Sequence, residues 1–145
     1  MAENPDFDLQ DFLPYLLNQA AEASSLEFQQ LYKDRYGMLR TEWRVLFHLG
    51  IYGRMTAREI CDRTAMHKTK ISRAVQKLAD RRFLTRDRSA EDRRVEYLEL
   101  TAAGRAAYAD LLGVAAAYDA RLMAGVTPEE DALLRRLLRR LAAMR

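Results

Sequence analysis

The chain contains little that would serve catalysis or metal binding. It has a single cysteine, Cys61, and two histidines, His48 and His67, which do not fall at the spacing of a zinc-ligand set. A lone cysteine cannot form an intramolecular disulfide. The sequence shows neither a glycine-rich phosphate-binding loop nor a nucleophile elbow. We therefore expect a protein that is not an enzyme and that holds no metal or cofactor.

Long apolar runs and a leader segment are also lacking. No apolar stretch approaches the length that spans a bilayer, and the acidic N-terminus, Met-Ala-Glu-Asn-Pro-Asp, lacks the basic and apolar regions of a signal peptide. Together with the low cysteine content, these features predict a cytoplasmic protein with no membrane partner. The length of 145 residues fits one structural domain with a core of reasonable size.

Positive charge, by contrast, is concentrated in the middle of the chain. Between Arg54 and Arg94 there are thirteen basic and six acidic residues, which gives this segment a net charge of +7, whereas the whole chain carries +3. A basic segment between less basic flanks is typical of nucleic-acid binding. The alternative is a basic surface cluster without such a role.

The segment from Met66 to Phe83 predicts an amphipathic helix. Its apolar residues recur at helical spacing on one side and are Ile71, Ala74, Val75 and Leu78. The opposite side, called here the cationic face, carries donors for phosphate oxygens and for guanine, namely Lys68, Thr69, Lys70, Arg73, Gln76 and Lys77. Such a helix is suited to lie in a DNA major groove, although an ordinary solvated helix has the same pattern.

The segment before this helix completes a helix-turn-helix. Thr56 and Glu59 form a predicted capping box, in which each side chain accepts from the backbone N–H of the other residue. A short helix over residues 57–63 and a turn over residues 64–66 then lead into the amphipathic helix. A short capped helix, a tight turn and a helix with a cationic face are typical of DNA-binding proteins.

A β-hairpin is predicted directly after the amphipathic helix. Residues 83–86 are short and extended, and residues 95–100 alternate between apolar and polar. The loop between them, residues 87–94, is charged and rich in arginine. We call the hairpin of residues 83–100 the wing. Its arginines would enter a minor groove or bind phosphate, unless the tip is only a solvated loop whose charges cancel.

The two ends of the chain are predicted to be helical and to have apolar surface to spare. We expect a helix from Asp8 to about Arg35, a second one capped near Thr41 and broken at residues 50–53, a third from Thr101 to about residue 124, and a last one capped at Thr127. The last helix carries a leucine stripe, and its arginines, Arg135 among them, face away from that stripe. Packing of these ends in two subunits predicts a homodimer.

The predicted fold class is therefore mainly α with a small β-hairpin wing, or α+β. It is a winged helix-turn-helix with helical dimerisation regions at both ends. By role, residues 1–37 form the N-terminal dimerisation helix, residues 38–100 the DNA-binding lobe and residues 101–145 the C-terminal dimerisation helices, all within one structural domain.

The order of these elements resembles the MarR family of winged-helix transcriptional regulators. The resemblance is carried by residues 39–46, by the Ile71-Ser72-Arg73 step, and by Asp92-Arg93-Arg94 followed by Leu100-Thr101-Ala102-Ala103-Gly104. It implies a homodimer that binds a pseudo-palindromic site in double-stranded DNA. The implied groove-facing residues are Lys68, Thr69, Lys70, Ser72, Arg73 and Gln76. In the wing, Arg94 is implied in the minor groove with Asp92 as its partner, and the implied phosphate contacts are Arg86, Arg88 and Arg93.

The resemblance also implies a repressor that is released by a small aromatic or phenolic ligand. The candidate ligand residues are Tyr15, Arg40, Trp43, Arg44 and His48, in which aromatic rings would stack and an arginine would pair with a carboxylate. A structural role for Trp43 in the core is the alternative.

Two other functions remain open. A redox-responsive regulator would act through Cys61, although this cysteine is also placed as a small core hydrophobe on the packed side of the short helix. A winged-helix interaction module that does not touch nucleic acid is a further alternative, against which the local charge of +7 argues.

Overall fold

The computed structural model describes residues 6–144 and is mainly helical with a small antiparallel sheet, as the sequence predicted. The helices are α1 (Leu13–Tyr36), α2 (Arg40–Tyr52), α3 (Ala57–Thr64), α4 (Lys68–Asp80), α5 (Ala102–Leu122) and α6 (Pro128–Ala142), and the strands are β1 (Met55–Thr56), β2 (Leu84–Arg88) and β3 (Glu96–Leu100). Within residues 6–144 no helix is both long and apolar enough to cross a membrane. The prediction about a signal peptide falls mostly on residues 1–5, outside the described range.

The chain forms two compact units, one reaching to Leu112 and the other starting at Gly113. The division falls inside α5. The boundaries at residues 37 and 100, which were drawn by expected role, stay predictions.

The core of the first unit lies between α2, α3, α4 and the sheet. The four apolar residues predicted for α4 are all at most 2% exposed, and they pack with Leu46, Leu49 and Ile60. A short helix and a longer one thus share one apolar interior, and the opposite side of α4 is left free to face a partner.

The sheet has the strand order β1-β3-β2. In the wing, Leu84 pairs with Leu100 and Arg88 pairs with Glu96, so β2 continues two residues beyond the predicted end at Arg86 and the loop is shorter than predicted. The sequence did not predict β1. It consists of only two residues, Met55 and Thr56, which pair with Leu98 and Tyr97, and two residues cannot show an alternating pattern.

The first helix starts later than predicted. Asp8 accepts a hydrogen bond from the Gln10 N–H and closes a separate 3₁₀ turn over Leu9–Asp11, so α1 begins only at Leu13. Its predicted end at Gly37 is confirmed, with a left-handed φ of 62° at that glycine.

The predicted N-cap of the second helix is wrong, whereas its C-terminal end falls within the predicted break at residues 50–53. The N-cap is Leu39 rather than Thr41, because the buried Glu42 carboxylate accepts from the Leu39 N–H at 2.7 Å. At the other end, α2 continues through Gly50 and ends at Gly53. A Cβ atom at Gly50 would lie 2.5 Å from the ring of Tyr108, so this glycine allows close packing against α5 instead of breaking the helix.

In the second unit, the predicted cap at Thr127 is confirmed, since its Oγ accepts from the Glu130 N–H at 3.1 Å. Arg135, which was expected to face away from the leucine stripe, forms ion pairs with two acidic residues. Its guanidinium pairs with Asp119 on α5, at 2.9 Å, and with Asp131 on its own helix. The leucine stripe of α6 is exposed, with Leu133, Leu134, Leu137 and Leu138 between 39% and 45% accessible.

Candidate nucleic-acid interface

The start of α4 is fixed by two local features. The capping box of α3 is formed as predicted, with the Glu59 N–H donating to Thr56 Oγ at 3.1 Å. The chain then turns at Ala65, whose φ of 54° is left-handed, and His67 caps α4 by accepting the Thr69 N–H on Nδ1 at 3.1 Å. This cap was not predicted, because histidine is not a preferred N-cap residue.

The cationic face of α4 is exposed along its length. The groove-facing residues that the resemblance implied all lie on its accessible side and are Lys68, Thr69, Lys70, Ser72, Arg73 and Gln76. Lys70, Arg73 and Lys77 also line a shallow groove of about 250 Å³ beside the N-terminus of α2. A helix with its apolar side buried and this side open presents several cations to one surface.

Gln76 differs from the other residues of this face because both ends of its amide are engaged. Its Nε2 donates to Asp80 at 2.7 Å, and its Oε1 accepts from Arg86 of β2 at 2.7 Å. The Arg86 Nε donates to Glu96 of β3 at 2.9 Å. Gln76 and Arg86 were predicted to contact DNA separately, and the structure brings them together with two acidic residues that the sequence analysis did not single out.

The tip of the wing is an ordered turn. The Ser89 Oγ accepts from the backbone N–H groups of Glu91 and Asp92, at 3.2 and 3.3 Å, and the Val95 N–H donates to the Asp92 carbonyl at 3.0 Å. The Arg88 guanidinium donates to the carbonyl of Arg93 at 3.0 Å, so Arg88 also supports the tip. The Arg93 side chain is exposed.

Arg94 projects from this tip and is held by Asp92, as expected. Its Nε and Nη2 donate to the two carboxylate oxygens of Asp92 at 3.1 and 3.3 Å, while its side chain remains 91% exposed. The Arg94 guanidinium and backbone N–H lower the pKa of the Asp92 carboxyl below its usual value. The pair therefore persists at neutral pH and is lost only as the pH falls through that lowered pKa.

A helix-turn-helix with an exposed cationic face next to an arginine-bearing wing is the arrangement of winged-helix DNA-binding proteins. Residues 36–95, which contain α2, α3, α4 and most of the wing, match the model of the MarR family. The chain is therefore similar to the MarR family over this segment. The proteins that it resembles are named as transcriptional regulators.

Three similar proteins illustrate the resemblance. The HTH-type transcriptional regulator YwaE of Bacillus subtilis strain 168 is 23% identical over 126 residues, which are 87% of this chain and 74% of that protein. A MarR family transcriptional regulator from Silicibacter pomeroyi is 29% identical with a TM-score of 0.78, over 94% of this chain and 99% of that one. BpsR of Bordetella bronchiseptica, whose DNA binding is regulated by 6-hydroxynicotinic acid, is 23% identical with a TM-score of 0.85, over 94% and 96% of the two chains.

The ligand candidate Trp43 lies in an aromatic cluster. Its ring stacks on Tyr32 with centroids 5.8 Å apart and planes at 5°, and it contacts Phe28 and Phe47 at 5.1 and 5.0 Å. The cluster packs against the core, which favours the structural alternative. The Trp43 Nε1 is nevertheless buried without a hydrogen-bond partner within residues 6–144, and a buried N–H without an acceptor is costly.

The other ligand candidates have separate contacts. Arg44 donates to the Met66 sulfur at 3.5 Å, and the His48 Nδ1 lies 2.6 Å from the Arg44 carbonyl oxygen. Arg40 interacts with the hydroxyl of Tyr32, whose pKa is raised chiefly by burial and only partly offset by this arginine. Tyr15 lies half-buried on α1. The ligand-binding role of these residues therefore stays a prediction. Trp43 and Arg40 both contact Tyr32.

Cys61 is half-buried on α3 and packs against the core. Burial, and secondarily the neighbouring Asp62, raise the pKa of its thiol. Since the thiolate is the reactive form, this environment favours the structural interpretation over the redox-responsive alternative.

Proposed function

We propose that the chain is a MarR-family DNA-binding transcriptional regulator, two copies of which bind a pseudo-palindromic operator in a sequence-specific manner. Each α4 lies in a major groove, and each wing reaches the flanking minor groove. The observation that carries the proposal is the division of α4 into a fully buried apolar side and a cationic face that is exposed from Lys68 to Lys77. Two-fold symmetry would set the two α4 helices roughly 34–36 Å apart, one turn of DNA.

The exposed side chains fall into two classes of contact. Arg73, near the middle of α4, is the candidate for bidentate recognition of guanine, with Lys68, Thr69, Lys70 and Ser72 beside it. Arg94 is the candidate for the minor groove, where a guanidinium senses groove width. Arg93, exposed on the wing and placed toward its tip, is a candidate phosphate contact that carries no sequence information.

The experiment that tests this assignment compares Arg73→Ala with Arg93→Ala. The parent protein first selects its preferred sequence from a random duplex library of about 30 base pairs, long enough for two half-sites. Arg73→Ala should cost about 1–3 kcal/mol on the selected duplex and relax the preference at one base pair, because a base contact is lost. Arg93→Ala should weaken selected and scrambled duplexes alike. Fluorescence anisotropy measures both, and unchanged preference in Arg73→Ala would contradict the assignment.

The homodimer rests on apolar surface at both ends of the chain. Near the N-terminus, side chains between 40% and 52% exposed are Leu9, Phe12, Leu13 and Leu16. The leucine stripe of α6 is similarly open. Grouped exposed apolar residues of this kind mark protein interfaces rather than ordinary surface. A two-fold dimer buries the same residues twice and presents two α4 helices at once.

We further propose that the regulator is a repressor released by a small aromatic or phenolic ligand. The support is the shared fold with BpsR, whose DNA binding 6-hydroxynicotinic acid regulates, and the buried Trp43 N–H, which offers an unused donor close to Arg40 and Tyr32. A ligand that prefers a conformation with another spacing of the α4 helices shifts the population away from DNA.

A panel of aromatic acids, 6-hydroxynicotinic acid among them, tests the ligand proposal. A true ligand should raise the melting temperature, by mass action on the folded state, and should release the selected duplex in the same concentration range. Trp43→Phe, which keeps the ring packing and removes the N–H, should weaken ligand binding and leave duplex binding intact. A panel with no member that does both would count against this part of the proposal.

A further inference from the structure

Four polar side chains join the wing to α4 at the edge of the first unit's core. Starting from β3, Glu96 accepts from Arg86, Arg86 donates to Gln76, and Gln76 donates to Asp80. The three hydrogen bonds measure 2.9, 2.7 and 2.7 Å, and an ion pair of 2.8 Å between Arg86 Nη2 and Glu96 adds a fourth contact. Two of the four residues belong to the hairpin and two to the helix.

The register of the sheet explains why Arg86 reaches α4. Residues that alternate along a strand share one side of a sheet, and paired residues share that side as well. On this side lie Leu84, Arg86 and Arg88 of β2, and Leu100, Leu98 and Glu96 of β3. Leu84, Leu98 and Leu100 are buried in the core. Arg86 therefore continues the core-facing row beyond its last apolar residue, at the point where the wing leaves the body of the protein.

The contacts of Arg86 favour a structural role, in which it links the wing to α4, over a role as a phosphate ligand. Its side chain is 33% exposed, against 91% for Arg94, and Glu96 beside it is 21% exposed. A charge-assisted hydrogen bond that is partly shielded from water is stronger and more directional than an exposed one. Because the bonds run to the hairpin on one side and to the helix on the other, they fix the angle between wing and α4.

We infer that the tie Glu96–Arg86–Gln76–Asp80 sets the position of the wing relative to α4, so that Arg94 reaches DNA while α4 occupies its groove. Arg86 and Glu96 are then positioning residues, and a carboxylate in the wing favours DNA binding. This inference rests on the proposed binding mode. Loss of the Glu96 charge is therefore expected to weaken DNA binding, whereas removal of a negative charge near DNA ordinarily strengthens it.

The test measures duplex binding of Glu96→Gln against Glu91→Gln. Both substitutions remove one negative charge from the wing, but within the described residues the Glu91 side chain makes no hydrogen bond or ion pair, and only its backbone N–H is engaged. The probe is the duplex that the parent protein selects from the random library. Glu91→Gln should bind equally or slightly more tightly. Glu96→Gln should bind roughly three- to tenfold more weakly, since the loss of a coupled contact has this size, with a melting temperature close to that of the parent.

A double-mutant cycle with Arg94→Ala separates positioning from other effects. If Glu96 acts through the wing, its substitution should matter little once Arg94 is absent, so the two effects will not add. If Glu96→Gln weakens duplex binding by the same factor with Arg94 present and with Arg94→Ala, the inference is overturned. It is also overturned if Glu96→Gln binds the duplex as tightly as Glu91→Gln does. A parent protein that selects no duplex at low salt would contradict the proposed function. The inference would then fail as well, because it rests on that function.

Discussion

At the scale of single residues, Arg82 carries backbone strain at the end of α4. Its φ is +61°, a left-handed conformation that glycine adopts freely and other residues adopt at a cost. The position is forced, because the Arg82 N–H donates to Ala79 O and the Phe83 N–H donates to Leu78 O, the pair of bonds that closes a helix C-terminus. The Arg82 carbonyl also accepts from Thr101 Oγ at 2.6 Å.

We therefore expect Arg82→Gly to stabilise the protein although it removes a side chain. Relief of the left-handed strain should exceed the added entropy of the unfolded chain and raise the free energy of unfolding by about 0.5–1 kcal/mol relative to Arg82→Ala. The alanine variant is the matched control, since it loses the same charge and keeps the Cβ. Urea denaturation at one fixed protein concentration measures the difference. A glycine variant less stable than the alanine variant would refute the strain argument.

Single residues also decided where the sequence analysis failed. The cap of α2 was placed at Thr41 because threonine is a common N-cap residue, but Glu42 serves Leu39 instead. Gly50 was read as a helix breaker, yet its lack of a side chain makes room for Tyr108. The Leu39–Glu42 contact is local but was missed because leucine is not a preferred N-cap residue. The approach of Tyr108 to Gly50 depends on tertiary packing, which a local pattern does not contain.

At the scale of elements, the helix-turn-helix and the wing were predictable because they depend on local rules. The apolar period of α4, the Thr56–Glu59 box and the alternation in β3 each act over a few residues, and the structure confirms them. The Leu-Thr-x-x-Gly motif has a physical basis as well. A Cβ at Gly104 would lie 1.9 Å from the Phe83 carbonyl oxygen, so only glycine lets α5 begin against the base of the wing.

The contacts between elements were not predictable in the same way. The tie between Gln76 and Arg86 joins side chains ten residues apart across a turn, and its geometry follows from the strand register. A sequence pattern indicates that both residues are polar and exposed, and assigns both to DNA. It does not show that their donors and acceptors satisfy each other, which requires the distances.

At the scale of the whole molecule, the exposed leucines of α6 lead to a prediction about assembly. Leu137 is 39% exposed on the helix surface. If this surface is a dimer interface, Leu137→Gln removes a buried leucine from both subunits, at about 1.5–3 kcal/mol each. We expect the dimer dissociation constant to rise by at least about a hundredfold.

Arg136→Gln on the same helix is the control for the loss of a large exposed side chain, and it should leave assembly unchanged. Sedimentation velocity over a concentration series measures both variants against the parent. A parent protein that stays monomeric at micromolar concentration would contradict the dimer, and with it the spacing of two α4 helices along one face of DNA.

The clamp of Asp92 on Arg94 has a consequence for how binding is divided between enthalpy and entropy. The carboxylate holds both the backbone N–H and the guanidinium of Arg94 before any nucleic acid is near. The arginine is thus partly preorganised in the unbound protein, although its side chain remains exposed. In the proposed complex, docking of the wing would then freeze little additional motion, and the insertion of Arg94 would occur without a separate slow ordering step.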